Sequence, residues 1–462
     1  MKRLLLLALS AAMAGGCSDP PTIEERALEP LGSRADSFRD ARGLKGADRE
    51  AYFWLLWRAA RRHTVDAQER STVDVDEITP EFLERRVAQG REAQDYPWSP
   101  RDEAQWRSGV LMYRVGTEAL TNWHSAWRQD EAVRQRVGEF AAGWEADREG
   151  TLKRLLHYLN AEVLGARARR KPRGLPDLDP ATCLKDGGGR STDLSIAAIT
   201  LFRSWGIPAA LVRCPLVNGE ASGDAWVGIP GTEIWMKPAD TEPASPAYFA
   251  YRRGDARLPK VYVCEERNDY SNLVSVRNSL SFWTQYAFVW QSAADASAQL
   301  PGAVPVVFEN LPDPVFLSMF AGSGWLDVAP GRPRDDGSTD FGPCAPGLLY
   351  LLTTPGPRGL QLPAGVPFVL KPDGTREELP GDGPEIEWEW SAPAELPTAR
   401  PNVWRDGGFV PAKLVERDGK RFVAGPRNAL WLAWREGPES GGRGKPVGRP
   451  FVVGEGGVLK EY

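Results

Sequence analysis

Histidine is scarce in this sequence. His63, His124 and His157 are the three present among 462 residues, and none follows residue 157. No imidazole base or metal ligand can therefore come from the later part of the chain. Cysteine is sparse too, with Cys17, Cys183, Cys214, Cys264 and Cys344 making five. No two of them stand at the short spacing of a zinc-ligand pair, so no metal centre is expected. No apolar run is long enough to cross a bilayer as a helix. Basic side chains are not in excess, 57 Lys and Arg against 62 Asp and Glu. Nucleic acid is accordingly a poor partner. Gly187-Gly188-Gly189 lacks the spacing and lysine of a phosphate loop, and no cofactor motif is present.

Tryptophan, by contrast, is plentiful, 18 in all. Buried indoles fill cores, whereas exposed ones bind sugars and peptides. Trp54, Trp57, Trp106, Trp123, Trp127 and Trp144 recur at helical spacing and read as packing residues. Trp388 and Trp390 alternate on a strand and share a face, a candidate glycan-binding surface.

The chain opens with basic Met1-Lys2-Arg3, an apolar run over residues 4–13, and Ala14-Gly15-Gly16-Cys17. The run is too short to span a bilayer and reads as a secretory signal. The pattern resembles a bacterial lipoprotein signal, which implies cleavage before Cys17. It also implies acylation of Cys17, palmitate included, and several chains on one residue anchor stably. Ser18 after the cysteine resembles an outer-membrane address. The lipid bilayer is thus an expected partner, and the cell envelope the expected location.

Residues 1–16 are the expected signal, and the Pro-, Glu-, Arg- and Asp-rich residues 17–48 an expected tether. Residues 49–175 read as a helical region. Tyr52, Leu55, Leu56 and Ala59 make an apolar face, and Thr79-Pro80-Glu81 starts a helix over 78–92. Further helices are predicted over 105–127, 133–148 and 150–164. The basic cluster at residues 167–173 reads as a solvated linker.

Residues 189–241 hold the densest pattern. Leu194, Ala197, Ala198, Leu201 and Phe202 recur near the helical period, and Gly206 with Pro208 stops the helix. Short strands are predicted over 209–212, 224–229 and 233–236, with a Pro230-Gly231 turn.

Gly189, Asp193, Arg203, Gly206-Ile207-Pro208, Ala225-Trp226, Trp235 and Asp240-Thr241 resemble the frame of the transglutaminase-like branch of papain-type cysteine hydrolases. That resemblance implies a papain/transglutaminase-like core over residues 176–268. It also assigns Ser191 to the nucleophile position, Asp224 to the base position and Asp240 to the orienting acid. The family has Cys and His where this chain has Ser191 and Asp224. A hydroxyl is far less acidic than a thiol, and a carboxylate with a pKa of roughly 3.9 is a poor base for it. Met112–Glu118 and Lys260-Val261-Tyr262-Val263 also resemble segments that flank this domain in large bacterial lipoproteins.

Beyond the core the pattern changes to short strands with Gly, Pro and Asp turns, explicit at Asp373-Gly374 and Asp418-Gly419. Residues 269–380 and 381–462 read as two β-sandwich-like modules. The expected class is α+β: a helical N-terminal region, a papain/transglutaminase-like core and C-terminal all-β modules. Besides Cys17, four cysteines allow three disulfide pairings, or buried thiols throughout.

The leading expectation is a membrane-anchored lipoprotein whose degenerate domain binds a peptide or glycan. The second is a working peptidase or acyltransferase using Ser191 or Cys183 with a non-standard base, for which Lys185 is a chemical option. The third is a purely structural component of the envelope.

Overall fold

The computed structural model describes residues 21–41, 43–60, 62–66, 68, 70–171, 177–214, 216, 224–232, 234–239, 258, 260–264, 293–300, 302–322, 324–356, 361–390, 399–435, 445–454 and 459–462. The signal and Cys17 lie outside the described residues. Helix and strand are mixed throughout, as an α+β chain requires.

Thr22 caps the first helix, Ile23–Leu28. Its hydroxyl accepts the Glu25 amide (3.2 Å), while the Glu25 carboxylate accepts the Thr22 amide (2.7 Å). Ala35–Arg39 follows, and Ala27, Leu28, Leu31 and Phe38 are buried beside helix Gly46–Ala59. The described part of the expected tether is therefore folded onto the body. Its few apolar residues recur every three or four positions and give the helical turns one face to bury. Gly46–Ala59 differs from expectation as well. Ala51 through Ala59 are all buried, because the first helices cover one side and Pro80–Gln94 lies on another.

The helix predicted over 105–127 is interrupted. The chain forms Glu103–Trp106, a π-turn Arg107–Leu111, and helix Trp123–Arg128 after an irregular buried segment. Two buried arginines account for the break. Arg86 donates to Leu111 O (2.8 Å) and Val110 O (2.6 Å), and Arg203 to Met112 O (3.2 Å) and Arg114 O (3.1 Å). Guanidinium groups take carbonyls that a helical ladder would otherwise fill.

Ser191–Ser204 is the central helix, buried from Asp193 onward. Trp123–Arg128, Glu131–Ala142, Arg148–His157 and Tyr158–Leu164 contribute to the cluster around it. Trp127 Nε1 donates to Thr200 Oγ1 (3.1 Å), and Trp98 Nε1 to Trp205 O (2.6 Å), so these indoles pack and tie. The helix also lies on a five-stranded antiparallel sheet. Its order is Trp235–Met236, Asp224–Gly228, Ala210–Cys214, Tyr262–Cys264 and Ala293–Asp295. Leu211, Ala225, Val227 and Met236 join the helix side, and Val212, Cys214, Trp226 and Trp235 the opposite side, as two-residue alternation demands. The sheet takes its last strand from beyond residue 268, where the sequence reading ends this domain.

Among the described residues four further sheets follow. Val304–Glu309, Ser338–Cys344 and Arg332–Pro333 form one, and Trp325–Pro330, Phe316–Phe320, Leu349–Pro355, Phe368–Leu370 and Arg376–Glu378 the path of its partner. Val306 and Phe341 from the first share a core with Leu317 and Tyr350 from the second. Glu385–Glu389, Lys420–Pro426 and Leu414–Arg417 face the sheet Gly408–Pro411, Arg400–Arg405, Leu430–Arg435, Lys445–Val453 and Leu459–Glu461 in the same way. Both pairs fit the expected β-sandwich pattern. Leu349 and Leu351 turn away from the first core and meet Trp404 and Leu430 of the second unit. Asp418 and Gly419 both have positive φ, 52° and 76°, in the tight turn between Arg417 and Lys420.

Candidate functional site

The candidate site is the start of the central helix. Arg190 is its N-cap and Ser191 its first helical residue, half-buried. Asp193 at the third position is fully buried and accepts from two backbone amides, Arg190 N (2.8 Å) and Leu178 N (2.9 Å). A carboxylate there also complements the positive end of the helix dipole. Asp177 accepts from Arg190 Nη2 (2.7 Å) and from Thr117 Oγ1 (2.9 Å). Arg213 donates to Thr192 Oγ1 (3.0 Å) from the neighbouring strand.

The residues that carry the family resemblance have local structural work. A Cβ on Gly189 would stand 2.7 Å from Asp193 Cβ, so the cap needs a glycine there. Gly206 has φ +76°, and a Cβ on it would stand 2.2 Å from Ala93 O. Arg203 forks onto Ala209 O (3.1 and 2.9 Å), which closes the Gly206-Ile207-Pro208 turn.

Ser191 and Asp224 lie on neighbouring elements. Asp224 opens the strand Asp224–Gly228 and pairs with Cys214, one residue from Arg213. Its side chain lies outside the described residues, as does Asp240. Among the described residues the Ser191 hydroxyl has no hydrogen-bond partner. The loop before Asp240 is held by buried Asn160, which donates to Lys237 O (2.9 Å) and accepts from Ala239 N (2.8 Å). Sequence reasoning missed Asn160, since one asparagine in a helical stretch carries no signal.

Cys183 is fully buried in the apolar cluster with Leu194 and Ile199, and Lys185 is exposed. A thiol so enclosed is a poor nucleophile. Cys344 is buried as well, and burial pushes its thiol up to about 12. His124 sits on Trp123–Arg128, the helix tied to Thr200, nine residues beyond Ser191. Burial, with the Arg86 and Arg128 guanidiniums beside it, pushes its pKa down to about 2. Among the described residues no cluster of His, Cys, Asp and Glu could hold a metal ion. No described helix is long and apolar enough to cross a membrane.

Trp388 and Trp390 do share a face, but that face is buried. Their rings pack on one another at 5.7 Å and on Phe451 at 5.9 and 6.3 Å. The strand alternation was legible; which side faces the second sheet was not. Compared with protein-family models, with curated proteins and with solved structures, the chain matches none.

Proposed function

We propose that this chain is a membrane-anchored envelope lipoprotein whose central domain is a papain/transglutaminase-like fold used for binding. The ligand is a peptide or glycan held across the start of the central helix. Cys17 carries the anchor, and Ser191, Asp224 and Asp240 stand at the former catalytic positions. The observation that carries this reading is the use made of Asp193 and Asp177. Both carboxylates accept hydrogen bonds from backbone amides, Arg190 or Thr117, and so hold the helix start in shape. A helix start fixed in this way offers amide and hydroxyl groups for recognition. Ser191 with Asp224 at the base position is ill-suited to acyl transfer, because a carboxylate is too weak a general base for a hydroxyl.

The test compares the full chain with its Ser191→Ala and Ser191→Trp variants. Peptide hydrolysis and glutamine–lysine crosslinking are assayed beside retention on immobilised peptidoglycan fragments. Neither turnover is expected in the native chain, and Ser191→Trp is expected to abolish retention by filling the helix start. Turnover that Ser191→Ala removes would overturn the proposal.

A further inference from the structure

Helix Pro80–Gln94 and the segment before helix Trp123–Arg128 enclose a cleft of about 420 Å³, lined in part by Glu81, Phe82, Arg85, Leu120, Thr121 and Asn122. Phe82, Arg85, Thr121 and Asn122 also line a smaller recess of about 10 Å³, closed by Arg86, Gln89, Trp123 and His124. That volume admits one water-sized group.

Three polar atoms of the recess are buried without a hydrogen-bond partner: Arg86 Nη1, Thr121 Oγ1 and His124 Nε2. Arg86 is 4% exposed and His124 2%. Arg86 cannot swing elsewhere. Its Nε and Nη2 are held by Leu111 O and Val110 O, and its Cζ lies 4.3 Å from the Trp123 ring centre. His124 is neutral, and its other ring nitrogen is engaged with the Gln89 backbone. Nε2 is therefore left as an acceptor. The recess thus offers a fixed donor, a fixed acceptor and one hydroxyl. Leaving such groups unpaired is unfavourable, so a ligand group that pairs them gains.

A single atom that satisfies both Arg86 and His124 must accept and donate. A hydroxyl does so. A carboxylate or phosphate would face the imidazole lone pair, and an ammonium would leave Arg86 unmatched. Outside the recess, Phe82 is half-buried and held edge-on by Tyr113 (5.7 Å, 86°), while Glu81, Arg85 and Asn122 surround it as donors and acceptors. An aromatic plane with mixed polar groups suits a polyhydroxylated ring.

We propose that this cleft is a binding subsite for a neutral saccharide. One sugar hydroxyl enters the recess and bridges Arg86 Nη1 and His124 Nε2, and the sugar ring lies against Phe82. The subsite is separate from the Ser191 face and does not depend on the reading given to that face.

Trp123 lies under Arg86, so intrinsic fluorescence reports on the recess. The full chain is titrated with neutral tetrasaccharides of glucose, of mannose and of N-acetylglucosamine, and with tetra-alanine as a peptide probe. A saturable change with at least one sugar is expected. Phe82→Ala is expected to weaken it roughly tenfold, and the isosteric Thr121→Val several-fold, with circular dichroism unchanged. No response to any sugar would mean that the recess holds a structural water only, and would overturn the proposal. So would saturation by tetra-alanine alone, or sugar binding that Phe82→Ala and Thr121→Val leave intact. Sugar binding lost instead in Ser191→Trp would move the ligand to the helix start, against this assignment.

Discussion

Arg203 donates to the main-chain carbonyl of Arg114 across 3.1 Å, although both residues are cationic and buried. Arg114 has its own carboxylate, Asp74, at 2.7 Å. Arg203 bonds instead to carbonyl oxygens, those of Met112, Arg114 and Ala209. Burial pulls its pKa down to about 9, which still leaves it charged at neutral pH. The central helix, the turn after it and the irregular segment before Trp123 are thus joined at one guanidinium.

Replacing that fork is expected to be costly. Arg203→Leu strands several buried carbonyls, and Arg203→Lys keeps the charge but not the planar geometry. Each is expected to lower unfolding free energy on the order of 3 kcal/mol, read by urea denaturation. A loss below about 1 kcal/mol for Arg203→Leu would show that the carbonyls find other partners.

Two glycines separate backbone strain from steric overlap. Gly374 has φ +84° and open space around it, whereas Gly206 has φ +76° and the Ala93 carbonyl in the way. Gly374→Ala is expected to cost roughly 1–2 kcal/mol, the left-handed penalty alone. Gly206→Ala is expected to cost at least about twice that, because backbone on both sides must move. Equal shifts in urea midpoint for the two variants would contradict the contact at Ala93.

These arginine and glycine roles mark how far the sequence could be read. The Gly206-Pro208 stop, the Thr79 cap and the Asp418-Gly419 turn were legible, because each is set by local backbone preferences. The strands that the sequence predicts over 304–308, 315–320, 347–352, 368–370, 385–390, 414–416, 429–433 and 451–453 each fall on an observed one. Trp325–Pro330, Ser338–Cys344 and Arg400–Arg405 were missed, since Asp, Gly, Pro or Arg interrupt their apolar alternation. The break after Leu111 was also hidden. It depends on Arg86 and Arg203, distant in sequence, reaching carbonyls that a helix would use. At the candidate site, the helix start and the neighbouring strand were legible. Asn160 and the Arg86–His124 recess were not, since only folding brings their partners together.

His124 carries a pH dependence. Its folded pKa is near 2, against a usual value of 6.5. The unfolded chain therefore binds a proton that the native state refuses. The stability contributed by neutral His124 is complete above pH 6.5 and is lost progressively as pH falls toward 2. Urea midpoints between pH 7.5 and 5 are expected to fall with a slope of up to about 1.4 kcal/mol per pH unit below the unfolded pKa. His124→Asn is expected to flatten that slope. An unchanged slope in the variant would assign the acid sensitivity to carboxylates instead.

Lys260 offers the sharpest test of how the central sheet meets the first β unit. Its ammonium is fully buried and is shared by Asp295, Phe341 O (2.8 Å) and Pro343 O (2.7 Å). Gly342 lies against the pair, and a Cβ there would stand 2.5 Å from the Asp295 carboxylate. Tyr262, two residues on, donates to Val328 O (2.7 Å) and makes a second tie. Lys260→Met leaves a largely buried carboxylate and two carbonyls unmatched, which is expected to cost about 3–5 kcal/mol. Adding Asp295→Leu removes the stranded charge, so the double variant is expected to be more stable than Lys260→Met alone. The single variant should also be cut sooner by proteinase K, a protease of broad specificity, between the central sheet and residue 304, because one of the two ties is gone. If the double variant is instead the less stable, Asp295 has another cation, and the Lys260 pair is not what joins the two units.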